Sequence, residues 1–159
     1  FDIITASPEC KVFSVLQHTH LQTGKRGTKG KWRDMNHLNE VRKEHGQFSK
    51  RTLEIIEYLK PTHWFIENPW VSAMKDLDHM KNLPSVRMDY CRFGYAYNKP
   101  TRIWSNKNLE EYKCECKEKH KFRLGANSAT FRQKTVLKDS TTIDDRYSIP
   151  PSLIKCLFT

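Results

Sequence analysis

The sequence predicts an α/β fold that contains part of a doubly wound sheet. Short segments rich in β-branched and aromatic residues are interspersed with segments of helical periodicity. With 159 residues the chain is long enough to bury one core. The sequence contains no internal repeat and no linker that would indicate a second domain.

The first predicted strand covers residues 2–6, where Ile3, Ile4 and Thr5 suit a pleated, buried surface. Small residues, a proline and then Cys10 follow it. A strand that ends in this way can present one thiol at the edge of a sheet, so Cys10 is a candidate nucleophile. The plain alternative is a small buried thiol that has no chemical role.

Residues 17–33 interleave glycines with basic side chains and predict a basic loop. No Gly-Lys-Ser/Thr follows a strand here, which argues against a Walker-type phosphate site. Contact with a nucleic-acid backbone and a solvated surface loop both remain open as interpretations. The candidate contacts are Lys25, Arg26, Lys29 and Lys31, together with Lys99 from a later turn.

Two helices are predicted between the basic loop and the next strand. Asp34 is a candidate N-cap for the first helix and Ser49 for the second, because each precedes apolar residues at helical spacing. Pro61 ends the second helix.

Residues 63–66 predict a second buried strand, which is followed by Glu67, Asn68 and Pro69. Open α/β sheets bind their ligands beyond the carboxyl ends of the strands, so these polar residues are candidates for a site. Asn and Pro are also ordinary turn residues, and a plain turn is the alternative.

The remainder of the chain predicts two strands, a loop region and a helix. The strands cover residues 86–90 and 102–104, and the polar residues 107–145 predict mostly loop. Residues 148–158 predict a short helix that begins with prolines and carries an apolar face.

The charge balance favours a polyanionic partner such as nucleic acid. The chain has 28 Lys and Arg against 18 Asp and Glu, a formal net charge of +10. No apolar segment is long enough to span a bilayer, and the first residues lack the features of a signal peptide. We therefore expect an intracellular protein, in the cytoplasm or nucleus, with reduced cysteines and no membrane partner.

Cys114, Cys116 and His120 form a C-x-C-x-x-x-H pattern in the polar region. Zinc binds four nitrogen or sulfur ligands, so this cluster is a candidate zinc site, with Cys91 as a possible further ligand. The alternative is a lysine-rich hairpin that is exposed to solvent.

Several short motifs, taken in their order along the chain, resemble those of a known protein family. The motifs are Ser7-Pro8-Glu9-Cys10 with Phe13-Ser14, then Glu67-Asn68-Pro69, then Tyr90-Cys91-Arg92-Phe93-Gly94 leading to Lys99-Pro100-Thr101-Arg102-Ile103-Trp104, and finally Ile149-Pro150-Pro151-Ser152-Leu153-Ile154. Together they resemble the catalytic half of the DNA (cytosine-5) methyltransferases, in particular the divergent branch of phages and large DNA viruses. The resemblance covers residues 1–106 and 146–158 and implies a partial Rossmann-like, methyltransferase-type sheet.

The resemblance implies that Cys10 attacks carbon 6 of a flipped cytosine, which makes carbon 5 nucleophilic toward the methyl group of S-adenosylmethionine. Glu67 would hydrogen-bond ring nitrogen 3 and the exocyclic amine, and Asn68 and Pro69 would fix the position of Glu67. Arg102 would contact the base and orient the carboxylate of Glu67.

The resemblance also implies a domain organisation and a cofactor site. Residues 1–106 would be the catalytic half, residues 107–145 a target-recognition segment on DNA, and residues 146–159 a helix that returns to the catalytic domain. The residues implied at the cofactor are Ser7, Pro8, Pro69, Ile149 and Pro150. The family's glycine-rich cofactor loop would precede Phe1, so we expect a second chain or a further N-terminal segment that supplies it.

Departures from the family pattern keep a second hypothesis open. Glu9 and Lys11 stand where the family usually has Pro and Gln, and Trp104 replaces an arginine. The leading hypothesis is a DNA cytosine-5 methyltransferase, or the catalytic part of a split or truncated enzyme. The alternative is a catalytically inactive relative that serves as a DNA-binding or scaffold subunit, and RNA methylation is a weaker third possibility.

Overall fold

The structure, a computed structural model, describes residues 1–21, 31–95, 97–116 and 148–159. These residues belong to two compact units. The first unit consists of residues 1–88 and 100–111, and the second of residues 89–99 and 112–159. The domain boundaries expected from the family resemblance stay a prediction.

A four-stranded mixed sheet forms the frame of the first unit. Its strands are β1 (Ile3–Ala6), β2 (His63–Pro69), β3 (Ser85–Asp89) and β4 (Pro100–Ser105), in the order β1-β2-β4-β3. Strand β1 runs parallel to β2, and β2 runs antiparallel to β4. The predicted mixture of helices and strands is confirmed and is compatible with a methyltransferase-type fold, whereas a Rossmann-like order is not confirmed.

Strand β1 was expected to be buried, and this prediction is wrong for one of its faces. Ile4 and Ala6 pack against the core, whereas Ile3 is 38% exposed and Thr5 is also exposed. The reason is the position of β1 at the end of the strand order, where β2 is its neighbour among the described strands. In an outer strand that buries only one of its faces, successive side chains alternate between buried and exposed.

One long helix, α1 (Met35–Leu59), replaces the two predicted helices. The predicted N-cap is confirmed, because the Asp34 carboxylate accepts a hydrogen bond from the His37 amide at 2.8 Å. The helix ends at Leu59, and Lys60 is its C-cap directly before Pro61, which ends the helix as expected.

Ser49 is not an N-cap but a buried residue inside α1. Its hydroxyl donates to the Gly46 carbonyl at 2.9 Å and lies 2.7 Å from Nε2 of His79. A serine hydroxyl that donates a hydrogen bond to a carbonyl of the preceding helical turn has its hydrogen-bonding need met inside the helix, so the helix does not end there. The apolar stripe of α1 therefore continues past Ser49, and Leu53 and Ile56 pack against the core.

The core of the first unit lies against the sheet face that carries Ile66 of β2 and Trp104 of β4. Its buried members are Val12, Phe13, Ile56, Ile66, Met74, Met80 and Trp104. Trp104 is 1% exposed, so the residue that departs from the family's arginine is a core side chain in this protein.

The second unit includes the 3-10 helix Tyr90–Phe93 and the short helix α2 (Pro151–Phe158). The Ser152 hydroxyl donates to the Phe93 carbonyl at 2.6 Å. The predicted C-terminal helix is confirmed, and Leu153 and Leu157 form its buried face. Among the described residues, no helix has the length and apolar character needed to cross a membrane.

His79 links the chain after β2 to the buried stripe of α1 through Ser49. Burial lowers the pKa of His79 below its usual value, Lys50 lowers it further, and Asp78 opposes the shift. The folded protein therefore favours the neutral imidazole. Because the folded pKa lies below the unfolded value of 6.5, a penalty on the folded state begins near that pH and grows as the pH falls to the folded pKa.

We expect His79→Gln to reduce the loss of stability on acidification from about pH 7.5 to about pH 5.5, because it removes a group that must be protonated at a cost. The free energy of unfolding, measured by urea denaturation at each pH, reports the slope. His18→Gln is the control, because His18 is exposed. Equal slopes in the wild type and in His79→Gln would contradict this assignment.

Candidate active site

Residues 7–14, here called the cysteine loop, leave the carboxyl end of β1 and carry Cys10. Strands β1 and β2 are parallel, with Ala6 paired to Ile66, so both strands end at the same edge of the sheet. Glu67 and Asn68 therefore lie on the strand next to the one from which the loop departs. The thiol of Cys10 is half-buried. The edge at which parallel strands end is where open α/β sheets bind ligands.

Side chains from three different parts of the first unit donate hydrogen bonds to carbonyl groups of the cysteine loop. Asn68 donates to Pro8 at 2.9 Å, Gln17 donates to Lys11 at 2.8 Å, and Arg42 donates to Val12 at 3.0 Å. Buried carbonyl groups need such donors when the chain around them is irregular. These bonds fix the path of the backbone on both sides of Cys10.

Backbone amides complete the set of bonds to the cysteine loop. The Phe13 amide donates to the Cys10 carbonyl at 3.1 Å, which closes a turn around the thiol. The Ala73 amide donates to the Phe13 carbonyl at 2.9 Å and joins the loop to the chain after β2. The loop is thus tied to β2, to α1 and to the segment that follows β2.

Asn68 connects the Glu67-Asn68-Pro69 motif to the motif that contains Cys10 through its hydrogen bond to Pro8. Its side chain is 1% exposed, and its Oδ1 is buried without a hydrogen-bond partner in the described structure. The sequence predicted Glu67, Asn68 and Pro69 beyond the end of a strand, and that placement is wrong. All three are part of β2, because β4 pairs with β2 as far as Pro69.

Arg42 is a site-supporting residue that the sequence analysis missed. It is 8% exposed, burial lowers its pKa, and Asp76 partly offsets this effect. The available signal was its position four residues after the buried Leu38, on the apolar stripe of α1. An arginine at such a position needs a buried acceptor, which the Val12 carbonyl supplies.

The register of β2 and β4 separates Glu67 from Arg102. Glu67 pairs with Ile103, and Asn68 pairs with Arg102. Because successive side chains in a strand point to opposite faces, Glu67 and Arg102 lie on opposite faces of the sheet. Thr101 is fully buried, lies on the face of Glu67 and was not singled out from the sequence.

Arg102 is held by an aromatic ring and a hydroxyl group. Its guanidinium carbon lies 3.8 Å from the centroid of the Trp70 ring, and its Nη1 donates to Ser85 at 2.7 Å. Burial lowers the pKa of Arg102, and Asp76 opposes that shift. The Nε atom of Arg102 is buried without a hydrogen-bond partner in the described structure.

Glu9, which precedes the thiol residue, is directed at α1. One carboxylate oxygen of Glu9 lies 3.5 Å from Nδ1 of His45, and the contact becomes an ion pair when His45 is protonated. Ser7 is exposed at the start of the loop, and Pro8 and Pro69 are half-buried at the same edge of the sheet.

The other predicted residues belong to another segment of the first unit, to the second unit, or to the part of the chain outside the described residues. The ammonium group of Lys31 lies 4.4 Å from the centroid of the Trp32 ring in the first unit. Lys99, Ile149, Pro150, Cys114 and Cys116 belong to the second unit, where Lys99 lies over the ring of Tyr90. Lys25, Arg26, Lys29 and His120 lie outside the described residues.

A half-buried thiol after one strand and a carboxylate near the end of its parallel neighbour are compatible with a methyltransferase-type catalytic domain. The chain is 29% identical to a probable DNA (cytosine-5)-methyltransferase of Frog virus 3 (isolate Goorha) over 164 aligned residues. The match covers 97% of this chain and 72% of the relative, and it confirms the resemblance predicted from the motifs. No protein-family model matches the chain.

We expect Asn68→Ala to lower the free energy of unfolding by about 1–3 kcal/mol, because the half-buried Pro8 carbonyl loses its side-chain donor. Urea denaturation measures the change. Asn108→Ala is the matched control: Asn108 is exposed, and its substitution should change stability by no more than about 0.5 kcal/mol. Equal effects of the two substitutions would show that the Asn68 amide does not hold the loop.

Proposed function

We propose that this protein methylates carbon 5 of cytosine in DNA, with S-adenosylmethionine as the methyl donor. The observation that carries the proposal is the fixed cysteine loop, which leaves its strand beside the strand that carries Glu67. The name of the viral relative supports the same reaction class over nearly the whole chain. This support favours the enzyme over the catalytically inactive subunit.

Cys10 is the proposed nucleophile. Its thiolate forms a bond to carbon 6 of the flipped cytosine, and the electron pair displaced from the 5,6 double bond makes carbon 5 nucleophilic. After methylation, loss of the proton from carbon 5 restores the double bond and releases the Cys10 sulfur. The hydrogen bonds on both sides of Cys10 support this role, because a nucleophile held in one geometry needs less ordering in the transition state.

Glu67 is the proposed partner of the cytosine ring. A carboxyl group that hydrogen-bonds ring nitrogen 3 and the exocyclic amine stabilises the charge that develops when sulfur attacks carbon 6. Asn68, the next residue in β2, holds the cysteine loop and thereby supports the spacing between the nucleophile and the strand of Glu67. Thr101, buried on the same sheet face, is a proposed neighbour that limits the positions open to the Glu67 side chain.

Arg102 is proposed to support the site from the other face of the sheet. Its stacking on Trp70 and its bond to Ser85 link β4 to β3 and to the residue that follows β2. This contact set favours a positioning role over direct contact with the base or with Glu67.

The edge formed by β1 and β2 fits the proposed cofactor in one respect. The buried Oδ1 atom of Asn68 has no partner in the described structure and can accept a hydrogen bond there. Ser7, Pro8 and Pro69 border the same edge and are proposed to contact the cofactor, which supplies an electrophilic methyl group when bound. Ile149 and Pro150 are proposed contacts on the family resemblance alone. The expected second chain or N-terminal segment stays a prediction.

The net charge of +10 supports DNA as the substrate, because cationic side chains neutralise phosphates and release counterions. Lys31 and Lys99 are proposed phosphate contacts among the described residues. Lys25, Arg26 and Lys29 are proposed on sequence alone.

We expect DNA that contains 5-fluorocytosine, in the presence of S-adenosylmethionine, to form a covalent adduct with this protein. Fluorine at carbon 5 cannot leave as a proton does, so the bond to Cys10 persists. Denaturing electrophoresis detects the adduct, and peptide mass spectrometry locates it. Cys10→Ala should form no adduct, whereas Cys156→Ala, which removes another half-buried thiol, should react like the wild type.

DNA binding measured on the same samples separates the two functional hypotheses. An enzyme forms the adduct and binds DNA, whereas an inactive scaffold subunit binds DNA without any adduct. Binding to DNA with no adduct in the wild type would overturn the proposed reaction.

We expect Glu67→Gln to lower the methylation rate by about 10²–10⁴-fold, because the amide keeps the size of the side chain but loses its proton chemistry and charge. The affinity for DNA should change little, since it depends mainly on phosphate contacts. Transfer of labelled methyl groups measures the rate. Glu57→Gln, at an exposed position of α1, is the control, and a wild-type rate in Glu67→Gln would remove Glu67 from the mechanism.

A further inference from the structure

Three cysteines of the second unit, none of them used by the proposed reaction, converge. The sulfur atoms of Cys91, Cys114 and Cys116 all lie within 4.8 Å of one another. Cys91 is part of the 3-10 helix Tyr90–Phe93, and the other two cysteines come from the segment after β4. Segments that are distant in sequence thus bring soft ligand atoms to one point.

The two segments are joined on each side of the thiols. The Asp89 amide donates to the Tyr112 carbonyl at 2.8 Å, and the Asp89 carboxylate accepts from the Cys114 amide at 2.9 Å. Arg92 and Glu115, each adjacent to a cysteine of the cluster, form an ion pair at 2.6 Å. The cluster is therefore built into the packing of the unit and does not depend on the side chains of the cysteines alone.

The spacing of the thiols suits a metal ion with tetrahedral geometry. Zinc binds thiolates at about 2.3 Å, which places ligand sulfur atoms roughly 3.8 Å apart. Thiols that already lie within 4.8 Å reach that separation by side-chain rotation. Cys114 and Cys116, two residues apart in a segment that is not helical, can both face Cys91.

The electrostatics of the cluster favour a cation. Three thiolates repel one another in the absence of a counter-charge, and a divalent ion removes that repulsion.

We propose that Cys91, Cys114 and Cys116 bind a zinc ion that holds residues 89–93 against residues 112–116. The ligand set predicted from sequence was Cys114, Cys116 and His120, with Cys91 as a possible further ligand, and His120 lies outside the described residues. Three thiolates are the ligands that the described residues supply, and within those residues no fourth His, Cys, Asp or Glu joins the cluster. The site is independent of methyl transfer and stands even if the proposed reaction fails.

Zinc content tests the proposal directly. The full chain, produced in zinc-supplemented medium and purified with a reductant, should contain about one zinc ion per chain by plasma mass spectrometry. Cys91→Ser, Cys114→Ser and Cys116→Ser should each lose most of it. Cys156→Ser, which removes a cysteine of the same unit outside the cluster, should keep it.

Cobalt substitution detects thiolate ligation without relying on variants that fold poorly. The zinc-free wild-type chain, titrated with Co²⁺, should develop thiolate-to-metal charge-transfer absorption that zinc abolishes on competition. The absence of this absorption in the wild type would overturn the proposal. A zinc content that is unchanged in all three cluster variants, or a disulfide within the cluster in place of bound metal, would overturn it as well.

Discussion

The hydrogen bond from the Asn68 amide to the Pro8 carbonyl joins the cysteine loop to β2 at the edge where the candidate active site lies. The cysteine loop is irregular, so the sheet cannot satisfy its carbonyl groups, and each buried one requires a donor from elsewhere. Asn68, Gln17 and Arg42 supply those donors from separate elements. The position of Cys10 thus depends on the packing of α1 and β2. A substitution that disrupts the packing of either element should also displace the Cys10 thiol.

Strand β2 carries candidate site residues on both faces of the sheet. Its alternation directs Glu67 to one face and Asn68 to the other, and pairing with β4 places Arg102 on the face of Asn68. The chemistry proposed for the site is consequently divided between faces. The acid lies on one side of the sheet, and the bonds that fix the loop and Arg102 lie on the other. The Trp70 ring stacks on the half-buried guanidinium of Arg102 and holds it in place.

Several features followed from the sequence because they depend on local chemistry. A carboxylate beside the first turn made Asp34 an N-cap, and the β-branched residues near Ile4 and Ile66 formed strands. The ordered motifs around Cys10 and Glu67 gave the resemblance that the viral relative confirms. Ser49 shows the limit of such rules, because a serine hydroxyl that can cap a helix can also bond back to the preceding turn inside one, as Ser49 does to Gly46.

The sequence by itself determined the residue types available to the site, the element types and the family resemblance. Tertiary structure alone decided which side chains meet: that Asn68 holds the cysteine loop, that Arg102 stacks on Trp70, and that Cys91 joins Cys114. The physical reason is that strand register and the burial of polar atoms are set by contacts between distant segments. A shift of one residue in register would reverse the face of every side chain in β4, and no local pattern in the sequence fixes that register.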